Sequence, residues 1–217
     1  MTALKRELLV VGPLQCNCSI IYDEKTREAI VIDPGDEVER IRKTLEREGL
    51  SLKCAVHTHA HFDHVGATGG LKRALPGMQI ALHRDDEDLY RNLPMQGQLF
   101  GFHFEAPPPV DKFLVDEEDL SVGGHKFSVL HTPGHSPGGV CLRFEAGLLS
   151  ETPVLFSGDT LFQRSIGRTD FWGGDYRQLI NSIRDRLLTL DDETFVQPGH
   201  GPDTTIGVEA RSNPFLK

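Results

Sequence analysis

Short apolar runs that end in a polar residue beside glycine or proline recur along this 217-residue sequence. They include AIVID, CAVH, FSVLH, VLFSGD and TFVQP, and β-branched residues are frequent in them. Runs of this length and composition are typical of strands that are buried in a core. Because helical patterns separate some of the runs, the sequence predicts sheets covered by helices in an α/β layered fold.

Three segments have the pattern of helices. In EVERIRKTLEREG the apolar residues follow one another at i, i+3 and i+7, opposite a charged face. In GDYRQLINSIRDRLLTL the apolar stripe is wider, and the Gly-Asp pair supplies an N-terminal cap. A third helix is predicted from about Val65 to Leu75, before Pro76 and Gly77. The proline-rich segment 101–113 is expected to connect two halves of the chain, as a lid, a substrate contact or a plain spacer.

The run CAV is followed by HTHAHFDHVG, which places four histidines and an aspartate within eight residues. The spacing H-x-H-x-D-H is formed by His59, His61, Asp63 and His64. Neutral imidazole and carboxylate are the ligand types that suit zinc and similar divalent ions, and close spacing lets one loop supply several of them. The alternative is a cluster on a solvated surface loop, and we favour the metal.

Metal ligands usually come from several loops, and three further runs end in suitable residues. FSVLHTPGHSPGG offers His131 and His135, VLFSGDTLF offers Asp159, and FVQPGHGP offers His200. Each of these follows an apolar run and is flanked by glycine or proline, as a residue at a strand-to-loop turn would be.

Charge and composition exclude several classes of function. The formal net charge of −9 disfavours nucleic acid and anionic membranes as partners, because no basic block offsets the repulsion from phosphate. The N-terminal apolar run is too short for a signal peptide, and no stretch has transmembrane length, so we expect a cytoplasmic protein. Cys16 and Cys18 are expected on one face of a strand, with a structural role favoured over metal binding.

The motifs HTHAHFDHVG, HTPGHSPGG, SGDTLF and PGHGP, in this order, resemble those of the metallo-β-lactamase superfamily. The closest resemblance is to its glyoxalase II-like (hydroxyacylglutathione hydrolase-like) branch. RSIGRTDFWGGD after the aspartate and the ending SNPFLK are similar to the short bacterial members of that branch. The resemblance extends over nearly the whole chain.

This resemblance implies an αββα sandwich, two mixed β-sheets flanked by helices, with two divalent metal ions at one edge. Zinc is the expected metal, with iron or manganese as alternatives. The first ion would be held by His59, His61 and His135, the second by Asp63, His64 and His200, and Asp159 would bridge the two. The remaining histidines are expected in packing or surface roles: His57, His83, His103, His125 and His131.

The implied activity is hydrolysis of a small-molecule thioester of the S-lactoylglutathione type by a hydroxide that bridges the metals. Asp63 is the expected catalytic residue, as a metal ligand that also orients the hydroxide. Arg168 corresponds to a basic glutathione contact of the family, and pairing with Asp170 is its structural alternative. Residues 1–217 are expected to form a single domain without the C-terminal glutathione-binding helical domain of full-length members. The sequence does not indicate an oligomeric state.

Several other functions stay open. Persulfide dioxygenases resemble this chain in the GRTDF sequence and use a single iron ion, and hydrolases of other esters or phosphodiesters share the ligands. Members that hydrolyse lactams commonly carry a cysteine in the second site, whereas this chain has Asp159 as the expected bridging ligand. This difference disfavours lactam hydrolysis. A protein that only stores metal is disfavoured because structural sites are usually closed by four protein ligands for each ion.

Overall fold

The computed structural model describes residues 2–217, which form two six-stranded sheets packed face to face. The first sheet has the order β1-β2-β3-β4-β5-β6, antiparallel over its first three strands and parallel from β3 to β6. Its strands are β1 (Lys5–Val11), β2 (Cys16–Tyr22), β3 (Glu28–Ile32), β4 (Ser51–Val56), β5 (Gln79–His83) and β6 (Lys112–Leu114).

The second sheet has the order β14-β13-β10-β9-β8-β7 and is antiparallel except for the pairing of β10 with β13. A small hairpin lies between β10 and β13 in the chain. The strands are β7 (Asp119–Val122), β8 (His125–His131), β9 (Val140–Phe144), β10 (Val154–Gly158), β11 (Leu161–Phe162), β12 (Ser165–Ile166), β13 (Phe195–Pro198) and β14 (Thr204–Thr205).

Both faces of the central strands are buried, which explains their continuous apolar sequences. In β3, Val31 packs toward the helices outside the first sheet, whereas Ile30 and Ile32 pack between the two sheets. In β10, Phe156 packs between the sheets and Leu155 packs toward the helices outside the second sheet. The predicted fold of two mixed sheets flanked by helices is therefore confirmed.

The helices agree in part with their sequence prediction. Two of the three predicted segments form α1 and α6, and the Asp175 side chain caps α6 by accepting from the backbone of Gln178. A π-helical turn at Ile183–Leu187 continues α6. Three short helices were not predicted, namely α4, α5 and α7. The helices are α1 (Val38–Arg47), α2 (Phe62–Val65), α3 (Thr68–Ala74), α4 (Glu87–Arg91), α5 (Leu93–Leu99), α6 (Tyr176–Ser182) and α7 (Ile206–Ser212), with a 3₁₀ turn at Arg84–Asp86.

The helix predicted from Val65 to Leu75 was wrong in its start and its continuity. It begins three residues earlier, as α2, and is interrupted before α3 because the Ala67 N–H donates to the carbonyl of Pro34. Gly66 lies in this break, against the carbonyl oxygen of Gly35. The earlier start places Asp63 and His64 on a helical turn.

The proline-rich segment 101–113 was predicted to connect the two halves of the chain, and this prediction was wrong. It runs from α5 to β6 within the part of the chain that forms the first sheet, and its last two residues belong to β6, which pairs with β5. Phe102 and Phe104 pack against Phe62, with ring centroids 5.5 and 6.0 Å apart. The segment therefore supports the short helix α2.

Candidate metal centre

The seven residues predicted as metal ligands lie together at one edge of the sandwich, where strands of both sheets end. The first sheet supplies four of them, in the segment after β4, and the second sheet supplies the other three, after β8, β10 and β13. Strands β4, β10 and β13 all deliver these residues from their carboxyl ends. The seven residues are His59, His61, Asp63, His64, His135, Asp159 and His200.

Three buried imidazoles form the first group. His61 Nδ1 lies 2.8 Å from His135 Nε2, and His59 Nε2 lies 3.2 Å from the same atom. Nitrogen atoms that bind one tetrahedral zinc ion at 2.0–2.1 Å lie about 3.3 Å apart. The three nitrogens are therefore spaced as ligands of one ion would be.

Asp63, His64 and His200 form the second group. His200 Nε2 lies 3.1 Å from His64 Nε2 and 3.1 Å from Asp63 Oδ2. Asp159 lies between the groups, with Oδ1 at 3.4 Å from His64 Nε2 and Oδ2 at 3.6 Å from His135 Nε2. One carboxylate thus faces both groups, the arrangement expected of a bridging ligand.

Four of the five imidazoles direct their outer nitrogen at an oxygen atom, and this fixes their tautomers. Carbonyl and carboxylate oxygens only accept, and the Thr58 hydroxyl already donates to Asp33 Oδ2, so each outer nitrogen must donate. In the neutral imidazoles that metal binding requires, the inner nitrogens then keep a lone pair. The contacts are His59 with Thr58 Oγ1 at 3.1 Å, His64 with Asp33 Oδ2 at 3.0 Å, His135 with the Arg168 carbonyl at 2.8 Å and His200 with the Leu14 carbonyl at 2.9 Å.

These lone pairs fit a bound cation. The inner nitrogens of His64 and His200 lie 3.1 Å apart beside Asp63 and Asp159. These carboxylates raise the pKa of both histidines against the effect of burial, so the pair favours a positive charge, a proton or a metal ion, between its nitrogens. Asp159 Oδ1 is buried and has no hydrogen-bond partner among residues 2–217. Burial, reinforced by the neighbouring imidazoles, lowers the pKa of His59 and His61 well below the usual value, which keeps them neutral as metal ligands must be. The donor set therefore fits divalent metal.

Two glycines let the backbone approach the ligands closely. A Cβ atom on Gly35 would lie 1.6 Å from the carbonyl oxygen of Asp63. A Cβ atom on Gly199 would lie 2.3 Å from Asp159 Oδ1 and 2.6 Å from His64 Cε1. The Pro-Gly pairs of the sequence therefore mark places where the backbone touches the metal centre.

Three buried polar residues around the centre were not predicted from the sequence: Asp33, Asp86 and Gln96. Gln96 holds the segment after β4 that carries His59, His61, Asp63 and His64, which we call the first ligand segment. Its side-chain amide donates to the Ala60 carbonyl and accepts from the Phe62 N–H. Asp33 ends the run AIVID between apolar residues and proline, the same signal that identified the ligands. No comparable signal marks Gln96, whose partners are distant in sequence.

Arg168 lies beside the first group. Its guanidinium binds Asp170 through two contacts of 2.8 and 3.1 Å, and lies 5.3 Å from the ring centroid of Phe171. Phe171 in turn lies 5.8 Å from His61, ring to ring. The Arg168 and Asp170 side chains are 55% and 74% exposed, so this ion pair contributes little to stability and a ligand can compete for it.

Another cluster, His83, Asp85 and His131, has ligand atoms close together but a different geometry. The two rings are stacked, with centroids 4.0 Å apart and planes inclined by 13°. Lone pairs of parallel stacked rings run side by side and do not converge on one ion. This geometry agrees with the packing or surface role predicted for these two histidines.

The comparisons with known proteins agree with the fold. Residues 11–200 match the family model described as the metallo-beta-lactamase superfamily. The chain belongs to this superfamily. Within it, the chain is 44% identical over 218 residues to the hydroxyacylglutathione hydrolase GloC of Haemophilus influenzae, with 97% of each protein covered.

Two solved structures are similar to this chain, each at 40% identity. The BLEG-1 B3 metallo-beta-lactamase has a TM-score of 0.87, with 97% of this chain and 99% of that chain covered. TTHA1623 in a di-iron-bound form has a TM-score of 0.83, with 97% and 100% covered. The chain is thus a metallo-hydrolase of the metallo-beta-lactamase superfamily. No helix among residues 2–217 is long and apolar enough to cross a membrane.

Proposed function

We propose that this protein is a binuclear metal hydrolase that cleaves small-molecule thioesters, most specifically hydroxyacyl thioesters of glutathione. The observation that carries the proposal is the position of Asp159, whose carboxylate lies 3.6 Å from His135 of the first group and 3.4 Å from His64 of the second. A site with seven protein ligands for two ions leaves coordination positions for water and substrate. Such open positions favour catalysis over storage.

The bound ions would supply a water molecule that is nucleophilic at neutral pH and a positive charge for the substrate carbonyl. His59, His61 and His135 would hold one ion, and Asp63, His64 and His200 the other. The protein then needs no serine or cysteine nucleophile.

Asp63 is proposed as the catalytic carboxylate. Its Oδ2 lies 3.1 Å from His200 Nε2, and its side chain is only 15% exposed. Burial alone would raise the pKa of Asp63, but protonated His64 and His200 lower it in the metal-free site, and the positive charge of a bound ion would lower it in the same way. An ionised Asp63 can accept a hydrogen bond from the attacking water and so orient it.

The thioester substrate is supported by two observations. The Haemophilus influenzae relative is named a hydroxyacylglutathione hydrolase. Arg168 provides an exposed cation beside Phe171, within reach of a carboxylate on a substrate that is bound at the first group. Zinc is the proposed metal, and iron is the main alternative because TTHA1623 has a di-iron-bound form.

We also propose a single domain for residues 1–217, because apolar side chains from both sheets share one core cluster. The cytoplasmic location remains a prediction from the sequence.

The test combines metal analysis with turnover of S-lactoylglutathione by wild type, Asp63→Ala and the control Asp119→Ala, whose exposed carboxylate pairs with Lys126 on the second sheet. We expect about two metal ions for each wild-type chain and hydrolysis that is lost in Asp63→Ala but kept in the control. One iron ion for each chain, with oxygen uptake on glutathione persulfide and no hydrolysis, would make a dioxygenase the better assignment. The assay should also include a β-lactam, because BLEG-1 is a B3 metallo-beta-lactamase.

A further inference from the structure

Asp86 is a fully buried carboxylate close to the metal centre but outside the group of seven ligands. It ends the 3₁₀ turn Arg84–Asp86, which directly follows β5. A buried carboxylate is costly unless hydrogen bonds compensate for the lost hydration. Its partners therefore indicate its role.

Asp86 accepts three hydrogen bonds, and they come from two different ligand segments. Oδ2 accepts from the N–H of Ala60 at 2.9 Å and from the hydroxyl of Ser136 at 2.8 Å. Oδ1 accepts from the N–H of Gly138 at 2.6 Å. Ala60 lies between His59 and His61, and Ser136 directly follows His135.

The packing around Asp86 leaves no space for a different arrangement. A Cβ atom on Gly138 would lie 2.8 Å from Asp86 Cβ and 2.9 Å from its Cγ, so only glycine at this position admits the carboxylate. Gln96 holds the other side of the same ligand segment through the Ala60 carbonyl. The backbone at Ala60 is thus fixed from both directions.

We propose that Asp86 is a positioning residue that sets the distance between His135 and the pair His59 and His61, and so determines the affinity for the first metal ion. This inference rests on the binuclear centre of the proposed function. A carboxylate suits the task because both of its oxygens accept. An amide has only one accepting oxygen, so its NH₂ group would face a donor.

The test is Asp86→Asn, with zinc affinity measured on metal-free protein by competition with a chromophoric chelator. Loss of a residue that orients metal ligands typically weakens affinity by about 10- to 100-fold. We expect a loss of this size for one of the two ions and an unchanged affinity for the other. Thermal unfolding of the metal-free proteins separates this effect from general destabilisation.

The matched control is Asp23→Asn. Asp23 is also a buried carboxylate that accepts from two backbone N–H groups, but it lies after β2, at the end opposite Cys16 and the metal centre. Its loss is expected to lower the unfolding temperature without changing zinc affinity. Equal zinc affinities in Asp86→Asn and wild type, or an equal loss in both variants, would overturn the inference.

A second variant approaches Asp86 from the opposite side. Gly138→Ala leaves the carboxylate in the sequence but displaces it, so we expect the same loss of one ion, and this variant decides the matter if Asp86→Asn does not fold. Gly77→Ala is its control, because a Cβ atom there meets nothing within 4 Å. Wild-type affinity in Gly138→Ala would contradict the inference. A wild-type protein that binds fewer than two ions would instead refute the proposed function.

Discussion

The Nδ1 atom of His64 donates to Oδ2 of Asp33 across 3.0 Å, which joins the loop after β3 to the short ligand helix α2. The same carboxylate accepts from the hydroxyl of Thr58 at 2.7 Å, and its other oxygen accepts from the Thr58 N–H at 2.7 Å. Asp33 therefore orients an imidazole of the second group and holds the start of the first ligand segment.

Asp33→Asn is expected to weaken binding of the second metal ion by about 10- to 100-fold, because an amide cannot accept all three hydrogen bonds. Asparagine tolerates the positive φ of 50° at this position, so backbone strain does not obscure the result. Zinc competition on the metal-free protein measures the effect, with Asp23→Asn as the control. Unchanged zinc affinity in Asp33→Asn would show that the contact does not orient His64.

Removal of metal is expected to lower the unfolding temperature strongly, since an ion that binds only the folded state stabilises that state by mass action. A ligand present at 1,000 times its Kd stabilises a fold by about 4 kcal/mol. For a domain of this size, each kcal/mol shifts the Tm by about 2–4 °C, so we expect a decrease of about 8–16 °C. Differential scanning calorimetry with EDTA tests this, and EDTA already saturated with zinc is the control. An equal Tm with free EDTA and with the saturated EDTA control would contradict a stabilising metal centre.

Arg168→Ala is expected to raise KM for S-lactoylglutathione about tenfold or more, because a hydrogen bond to a charged group contributes about 1.5–3 kcal/mol. The carbonyl of Arg168 that holds His135 is retained, so kcat should change little. Steady-state kinetics measure both constants. Asp170→Asn is the matched variant, since it frees the guanidinium and should lower KM or leave it unchanged.

A purely structural role for Arg168 gives a different pattern. Both variants would then lower stability equally through loss of their ion pair, and KM would stay at the wild-type value. A neutral thioester such as an N-acetylcysteamine derivative serves as the second substrate. Its KM should not respond to Arg168→Ala if the arginine recognises a carboxylate.

Gly199→Ala is expected to lower the metal content below that of wild type. The new methyl group would meet Asp159 Oδ1 at 2.3 Å and His64 Cε1 at 2.6 Å, so the Asp159 carboxylate must move. Overpacking of this kind typically costs about 1–3 kcal/mol. Metal analysis by mass spectrometry measures the loss, with Gly77→Ala as the control. A full metal complement in Gly199→Ala would show that the centre tolerates displacement of Asp159.

The layered fold could be predicted because strands buried on both faces leave continuous apolar runs in the sequence. The residues of the centre could be predicted for a related reason: strand ends that meet at one edge bring residues such as His59 and Asp159 together. The metal number and identity do not follow from that pattern.

Other features depend on tertiary contacts that leave little trace in the sequence. The break between α2 and α3 arises because Ala67 donates to Pro34, more than thirty residues earlier in the chain. Helix α5 has the sequence LPMQGQL, whose proline, glycine and short length give no clear helical period. Asp86 was missed because its partners, Ala60 and Gly138, lie in two distant segments.

The metal centre takes its ligands from both sheets at one edge, and this has a consequence for the order of synthesis and folding. His59 comes from the first sheet and His200 follows the strand β13 of the second, so the centre is incomplete until nearly all of this sequence has been synthesised and both sheets have docked. A bound ion would then act as a late crosslink that closes most of the polypeptide into a loop. Capture of metal would mark the end of folding, and its loss would let the two sheets separate at this edge first.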